Sequence, residues 1–385
     1  MFFHLPNRRI VKKSIRTGTA IAMLAVLAVC VSYPSSVKAI GDNCDSAYGQ
    51  GDPFWFCRPL GIAVDTAGNL YVADAGNHNI RKITPEGEVS VFAGSDPANG
   101  GLAVDGLVGG EKGFADGKGS AARFDNPVGI VIDAADHLYV ADNHNHRIRK
   151  ITPEGEVSTL AGGGLADGKK AGFIDGQGNT ALFSFPANLA IDAKSNLYVT
   201  EWGNQSIRKV TPNGEVSTLA GGKQGFADGQ GSAARFGLAS GVAIDAAGNL
   251  YVADTWNNRI RKVTPEGKVS TLAGSKPANF ADGKGSAARF NRPNGIAMDR
   301  AGNLYVTDAG NHRIRKVTPK GEVSTFAGGG EWGGFADGQG SAARFRYIYG
   351  IAMDAAGTLY VADGDNHRIR KITPQGKVST LASDR

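Results

Sequence analysis

Acidic and imidazole side chains return at a regular spacing along this chain of 385 residues. In six successive units a carboxylate residue stands at the end of an apolar run of the Leu-Tyr-Val type, and an asparagine follows three residues later. Four of the six asparagines precede a histidine, and three imidazoles that converge can hold zinc. The carboxylates are Asp74, Asp142, Glu201, Asp254, Asp308 and Asp363, and the residues after the asparagines are His78, His146, Gln205, Asn258, His312 and His367.

A structural role explains this pattern better than a metal site. A group present in nearly every unit is typical of loop formation, because Asp and Asn side chains bond to their own backbone in turns. The histidines also belong to different units, so we expect them to lie far apart. We therefore predict no metal, no cofactor and no catalytic residue here. We expect the carboxylates to pair with the next arginine of the same unit, namely Arg147, Arg259, Arg313 or Arg368.

Other candidate motifs are also incomplete as catalytic or ion-binding signatures. The DGxG segment between units, as in Asp116 to Gly119, lacks the D-x-D-x-D-G spacing of a calcium loop and the GxxxxGK pattern of a phosphate cradle. A tight glycine turn held by the flanking phenylalanines is the better interpretation. The sequence has no GxSxG elbow, and repetition argues against catalysis, because an active site needs one asymmetric constellation.

The elements that must position these residues form a six-fold repeat. The segment GIAVDTAGNLYVADAGNHNIRKITPEGEVSVFAG at 61–94 recurs from positions 129, 188, 241, 295 and 350. Each copy holds four short β-branched or aliphatic runs, separated by the turn sequences AAGN, D-x-x-N-H and TPEG. The copies are 53 to 68 residues apart, a period in the range of propeller blades. The sequence predicts an all-β, six-bladed β-propeller with four antiparallel strands per blade; a β-solenoid is the alternative, although its rungs are usually shorter.

A second motif, FADGKGSAARF at 114–124, lies between units and returns four more times. The segment at 48–59 is a degenerate sixth copy, which we expect to seal the ring where the last blade meets the first. Cys44 precedes this segment and Cys57 lies within it, and a disulfide between them would hold it in place at a gain of about 3 kcal/mol at most; two unpaired thiols are the alternative. In the degenerate copy Phe56, Arg58 and Pro59 align with Phe290, Arg292 and Pro293.

Residues 1–39 are predicted to be a cleaved signal peptide. A basic stretch precedes the apolar run Ala20 to Val31, and small residues surround Lys38. The apolar run is short for a membrane span, which needs about 20 residues; an uncleaved anchor is the alternative, and bulky Val29 disfavours lipidation at Cys30. Residues 40–59 then form an N-terminal segment with the ring-closing linker, and 60–385 form the propeller. We expect export to the periplasm or outside the cell, and membrane contact only if the signal is uncleaved.

The leader also explains the basic net charge of +6. It contains six of the 42 lysines and arginines and none of the 36 acidic residues, so the rest of the chain is neutral. A neutral body argues against nucleic acid as a partner.

The repeat resembles the NHL repeat. The resemblance rests on the P-x-G-[IV]-A-[VIM]-D pattern, the Gly-Asn-Leu-Tyr-Val-Ala-Asp strand and the N-H-R-I-R-K segment, and it covers essentially all of 56–382. It implies a propeller with one blade per unit. Proteins of this group include protein-binding and RNA-binding modules, sensor domains, lactonase-like hydrolases and amidating lyases with a propeller-borne zinc, so fold does not settle activity.

The departures from symmetry are the better functional candidates. Unit three carries Glu201, Trp202, Gln205 and Ser206 in the loop that elsewhere reads Asp, a small or polar residue, His and Arg. Unit four adds Trp256 in the same loop, and the last linker inserts Trp332. Exposed Trp at a rim is often a contact residue; neutral drift in surface loops is the alternative. The tentative ligand-binding residues are Glu201, Trp202, Gln205, Trp256 and Trp332.

The expected function is therefore that of an exported, monomeric binding or scaffold protein with a protein or glycan ligand on one propeller face. The alternative is a metal-dependent, lactonase-like hydrolase or lyase with its site at the central channel. An enzyme is the less favoured of the two, because no catalytic constellation stands out.

Overall fold

A computed structural model describes residues 56–96, 110–164, 169–330 and 332–382. The predicted signal peptide, Cys44 and the linker residues 48–55 lie outside these ranges. The domain boundaries, the signal peptide and the Cys44–Cys57 disulfide therefore remain predictions. Among the described residues, no helix is long and apolar enough to cross a membrane.

Six antiparallel sheets confirm the predicted six-bladed β-propeller. Blade 1 contains β1 (Pro59–Val64), β2 (Leu70–Asp74), β3 (Asn79–Ile83) and β4 (Val89–Gly94). Blade 2 contains β5 (Gly117–Lys118), β6 (Pro127–Ile132), β7 (Leu138–Asp142), β8 (Arg147–Ile151) and β9 (Glu156–Gly162). Blade 3 contains β10 (Gly176–Gln177), β11 (Pro186–Ile191), β12 (Leu197–Glu201), β13 (Ser206–Val210) and β14 (Glu215–Gly221).

The other three blades repeat this arrangement. Blade 4 contains β15 (Gly229–Gln230), β16 (Ala239–Ile244), β17 (Leu250–Asp254), β18 (Arg259–Val263) and β19 (Lys268–Ala273). Blade 5 contains β20 (Gly283–Lys284), β21 (Pro293–Met298), β22 (Leu304–Asp308), β23 (Arg313–Val317) and β24 (Glu322–Ala327). Blade 6 contains β25 (Gly338–Gln339), β26 (Ile348–Met353), β27 (Leu359–Asp363), β28 (Arg368–Ile372) and β29 (Lys377–Ala382).

The DGxG linkers add a short strand that the sequence did not predict. In blades 2 to 6 two residues of each linker pair with the outermost strand, so that Gly117 lies opposite Val157, for example. Three-residue 3-10 turns follow these strands at Gly119–Ala121, Gly178–Thr180, Gly231–Ala233, Gly285–Ala287 and Gly340–Ala342. Similar turns join the second and third main strands at Ala75–Asn77, Asn143–Asn145, Thr255–Asn257, Ala309–Asn311 and Gly364–Asn366.

Two faces of the propeller follow from the strand directions. The D-x-x-N-H loops and the ends of the linkers lie on one face, where the inner strands β1, β6, β11, β16, β21 and β26 begin; we call it the mouth face. The turns AAGN and TPEG lie on the opposite face. There the aspartate that follows each inner strand accepts hydrogen bonds from the backbone of its turn: Asp245 Oδ1, for example, accepts the backbone N–H groups of Ala247 (3.0 Å) and Asn249 (2.8 Å).

The hydrophobic core lies between neighbouring blades. Tyr71 and Ile80 of blade 1, for example, share a buried cluster with Phe124, Val140 and Ile151 of blade 2. Burial of each such side chain contributes about 1.5–3 kcal/mol. Each blade thus buries its apolar face against a neighbouring blade.

The ring closes between blades 6 and 1. Phe56 and Ile62 pack in one cluster with Tyr360 and Ile369, and β1 contacts both β26 and β6. Phe56 also lies 5.4 Å from the Arg81 guanidinium, as Phe290 lies 5.3 Å from that of Arg315. This equivalence confirms the alignment of Phe56 with Phe290, whereas the alignment of residues 48–55, which lie outside the described ranges, stays a prediction.

Candidate functional site

A buried carboxylate–arginine pair lies at the mouth-face end of every blade. In blade 2 Asp142 receives hydrogen bonds from the Arg149 guanidinium (2.8 Å) and from the backbone N–H of Asp125 (2.9 Å). Arg149 also bonds to Asp116 of the linker (2.7 Å). The aspartate of DGxG thus serves as a structural partner of the blade. Both Arg149 and Asp142 are fully buried.

This geometry corrects the predicted pairing of the carboxylate with the first arginine of the next strand. The partner is the arginine two residues later, because that position lies between two linker phenylalanines, where both carboxylates converge. The first arginine is drawn instead over a linker ring, as with Arg147, whose guanidinium lies 3.5 Å from the centroid of Phe114. The six arginines at this position are each fully buried, and they are Arg81, Arg149, Arg208, Arg261, Arg315 and Arg370.

The repeated histidines join neighbouring blades. His146 Nδ1 accepts the backbone N–H of Phe185 in the next blade (3.1 Å), and His367 does the same for Arg58 across the ring closure (3.3 Å). Gln205 and Asn258 accept the same bond with their amide oxygens, which explains why the position holds only acceptors. Each acceptor serves a different junction, and the described residues contain no group of three metal-ligating side chains.

The residues that donate these N–H groups have a left-handed backbone, which is rare for side chains other than glycine. Their φ angles lie between 43° and 62°. Such strain, of order 1–3 kcal/mol for each residue, persists only where the surroundings impose it, and here the hydrogen bond to the preceding blade does so. The six residues are Arg58, Asn126, Phe185, Leu238, Arg292 and Tyr347.

One of these histidines yields a pH prediction. Burial, and then the charges of His144 and Lys169 against that of Asp125, lowers the pKa of His146 to about 4. Because the folded pKa lies below the unfolded value, its stabilising contribution is complete above about pH 6.5 and is lost as the pH falls toward 4. Relative to His146→Asn, which keeps an acceptor as Asn258 does, the wild type is expected to lose about 1–2 kcal/mol of unfolding free energy between pH 7 and pH 5. Denaturant unfolding at both pH values measures this; equal losses in the two proteins would refute it.

The mouth of the central channel is the asymmetric part of the ring. The turns of the opposite face are nearly identical in all blades, whereas the second residue of each inner strand differs every time. The first residue of the adjoining loop varies almost as much. The inner-strand residues are Leu60, Val128, Ala187, Ser240, Asn294 and Tyr349, and the loop residues are Ala75, Asn143, Trp202, Thr255, Ala309 and Gly364.

An apolar cluster, which we call the plug, lies at this mouth. Trp202 and Tyr349 pack on a cluster that contains Leu60 and Val128, so that four blades meet there. The Trp202 indole N–H lies 3.2 Å from the Ser240 hydroxyl, which fixes the ring over blade 4. Below the plug a cavity of about 270 Å³ lies between the inner strands.

The structure separates the predicted site residues into three groups. Glu201 is fully buried and bonds to Arg208 (3.1 Å) and Ser206 (2.6 Å), so it occupies the structural place of the aspartates in the other blades. Gln205 is 7% exposed and links blade 3 to blade 4. Trp202 and Trp256 are half-buried on the mouth face, whereas Trp332 is 84% exposed.

Sequence reasoning missed Tyr349 and the other mouth residues of the inner strands. The sequence did contain a signal for this position. Three copies begin with a Pro, one variable residue and a Gly, and the variable residue is Leu60, Val128 or Asn294. Extending the alignment of the six units by two residues before Gly61 exposes this position.

Comparison with known proteins agrees with this architecture. The family model described as the Teneurin NHL domain matches residues 106–281, and the model described as the NHL repeat matches 56–83, 290–317 and 345–372. NHL repeat-containing protein 2 of Bos taurus is 29% identical over 84% of this chain and 47% of its own length. This chain thus spans less than half the length of the curated relatives it first matches.

Two solved structures share the fold at low sequence identity. An auxiliary nutrient binding protein from Bacteroides thetaiotaomicron is similar over 85% of this chain and 70% of its own, with a TM-score of 0.59 and 20% identity. A streptogramin B lyase is similar over 87% of this chain and 86% of its own, with a TM-score of 0.53 and 14% identity. The chain is an NHL-repeat β-propeller, in which each of the six repeats forms one blade.

Proposed function

We propose that this protein is an exported binding protein that holds a protein or glycan ligand on its mouth face. The proposal rests on the position of the sequence differences among the six units. Within the blades, the six nearly identical units differ from one another chiefly around one opening, and Trp202, Trp256 and Tyr349 are among the residues that differ there. Trp and Tyr supply large contact areas at a small cost in conformational entropy.

Export rests on the composition of residues 1–39, and the nutrient-binding protein from Bacteroides thetaiotaomicron offers a precedent for binding by this fold. A disulfide between Cys44 and Cys57 is part of the same proposal. The alternative, a metal-dependent hydrolase or lyase, is supported by similarity of fold, and a fold does not determine catalytic activity.

The test replaces both mouth-face tryptophans. Trp202→Ala combined with Trp256→Ala is expected to weaken capture of the ligand, on a glycan array or in a pull-down, by at least tenfold. Phe173→Ala is the matched control, because this ring is 45% exposed on a linker and away from the mouth. Thermal unfolding checks that the double variant is folded. Binding that survives the double substitution in folded protein would contradict the assignment of the site.

A further inference from the structure

Three aromatic residues belong to blade 6 and the linker that leads into it. Tyr349 belongs to the plug, and Tyr347 lies two residues earlier with 36% of its surface exposed. The Tyr347 ring meets the ring of His312 edge to face at 5.2 Å. Gly333 lies against the other side of His312, since a Cβ there would come within 3.0 Å of the imidazole. Trp332, its neighbour in sequence, projects 84% exposed.

The loop of blade 6 leaves space for the Tyr349 ring. Gly364 replaces the larger loop residue of other blades, and a Cβ there would lie 2.6 Å from the Tyr349 ring. The same Cβ would lie 3.4 Å from the carbonyl oxygen of Pro59. The Tyr349 ring therefore lies against the loop of blade 6, close to the start of blade 1.

Guanidinium groups flank these rings. Arg58 and Arg346 are both exposed and lie at the blade 6–blade 1 junction, where their backbone N–H groups bond to His367 (3.3 Å) and Asp363 (2.9 Å). Asp365 faces both guanidiniums, and its backbone N–H bonds to the carbonyl of Arg346 (3.3 Å). Arg344 adds a third guanidinium near the rim, beside Gly330. Two guanidiniums, those of Arg58 and Arg346, thus act on the one carboxylate of Asp365, and Arg344 lies further out.

His312 and His367 add no charge near neutral pH. Burial lowers the pKa of both imidazoles, and Arg346 lowers both further. Their ring nitrogens already accept the N–H groups of Tyr347 and Arg58. The positive charge of this surface therefore comes from arginine and does not depend on pH in the physiological range.

We propose that the blade-6 stripe, defined as Tyr349, Tyr347 and Trp332 with Arg58 and Arg346, binds an anionic oligosaccharide. The sugar rings would stack on the exposed Tyr347 and Trp332 side chains, and their carboxylates or sulfates would pair with the guanidiniums, whose planar fork suits such groups. This inference rests on the proposed binding function and assigns a ligand class to the part of the mouth face that blade 6 provides. Nucleic acid is disfavoured because the chain beyond residue 39 is neutral, and a phosphate backbone needs many cations.

The experiment compares matched anionic and neutral oligosaccharides on the full mature chain. The probes are hexagalacturonate against its methyl ester, and a heparin hexasaccharide against its desulfated form, by calorimetry at two salt concentrations. The anionic member of at least one pair is expected to bind tenfold more tightly or better, with an advantage that falls as salt rises. The pair that shows the preference tells carboxylate from sulfate recognition.

Variants locate the site. Trp332→Ala and Tyr347→Ala are expected to weaken binding tenfold for both members of the pair, and Arg346→Ala is expected to remove the preference for the anion. Arg300→Ala, an equal charge change on the opposite face, is the control and should leave binding unchanged. Trp332 is so exposed that its replacement leaves the fold intact.

The outcomes separate the two proposals. If neutral sugars or a protein bind in a manner sensitive to Trp202→Ala plus Trp256→Ala, the binding function stands and the blade-6 inference fails. If the two members of each pair bind equally, or Arg346→Ala keeps the preference, or single-stranded DNA binds in place of the sugars, the inference is overturned. If neither glycans nor proteins bind, both proposals fail.

Discussion

Replacing Arg315 with methionine is expected to lower the free energy of unfolding by about 3–5 kcal/mol. The Arg315 guanidinium is fully buried and bonds to Asp308 (2.8 Å) and to Asp282 of the linker (2.6 Å). It also lies between the rings of Phe280 and Phe290, at 4.7 and 5.3 Å from their centroids. Methionine fills much of the space, but it leaves the Asp308 carboxylate without its countercharge.

The pH dependence of the loss distinguishes an unpaired charge from lost packing. Burial already raises the pKa of Asp308 to about 6, and Arg315 exerts the largest opposing effect. Without Arg315 the folded pKa rises further, so the variant gains stability from protonation as the pH falls. A group with a raised folded pKa loses this contribution as the pH increases. The gap between wild type and variant is therefore expected to widen from pH 6 to pH 8 in denaturant unfolding.

A neighbouring arginine provides the control. Arg313 stacks on the outer face of Phe280 at 4.2 Å and is only half-buried. Arg313→Met is expected to cost less than about 1 kcal/mol, the usual value of an exposed cation–π contact. Equal losses in the two variants, or a gap that does not change with pH, would show that the buried ion pair is not what supports the blade.

Gly350→Ala is expected to destabilise the ring by about 3 kcal/mol or more, because the inner strands of blades 6 and 1 touch at this residue. A Cβ at Gly350 would lie 2.0 Å from the carbonyl oxygen of Leu60 and 3.1 Å from the Cα of Gly61. Both contacts are to backbone, so relief requires β26 and β1 to separate. Hydrogen exchange in these two strands should rise together with the loss measured by denaturant unfolding.

Gly87→Ala separates this steric effect from backbone strain. Gly87 has a φ of 91° in a turn of the opposite face, and a Cβ there would meet nothing within 4 Å. Its replacement is expected to cost about 1 kcal/mol through strain alone. A cost for Gly350→Ala no larger than this would mean that the blade 6–blade 1 junction can open without penalty, as the junction that holds Asn188 at the equivalent position already accommodates a side chain.

The fold was predictable because every level of the sequence repeats. Six copies of four short strands, with Pro and Gly at fixed turn positions, leave little choice of architecture. The face on which each loop lies followed from strand alternation. Strand alternation could not predict that Asp142 pairs with Arg149 and not with Arg147. The two arginines point to the same side of β8, and only the linker phenylalanines distinguish them.

The candidate site was less accessible to sequence reasoning. The tryptophans stood out by their rarity, and Trp202 does lie at the mouth. Glu201 stood out for the same reason, yet it is buried beside Arg208. Tyr349 was hidden because one variable residue inside a constant strand looks like drift until the inner strands are seen to share an axis.

The bond from each histidine, glutamine or asparagine to the next blade also explains how such a ring can be assembled. Every unit presents an acceptor on one side and a strained N–H donor on the other, so neighbours join head to tail, as subunits do in a cyclic oligomer. Duplicating one unit therefore supplies both halves of each new interface at once. Because the contact is the same at every junction, it does not determine the number of blades. The angle between successive sheets determines that number, and with six blades the first donor, Arg58, reaches the last acceptor, His367.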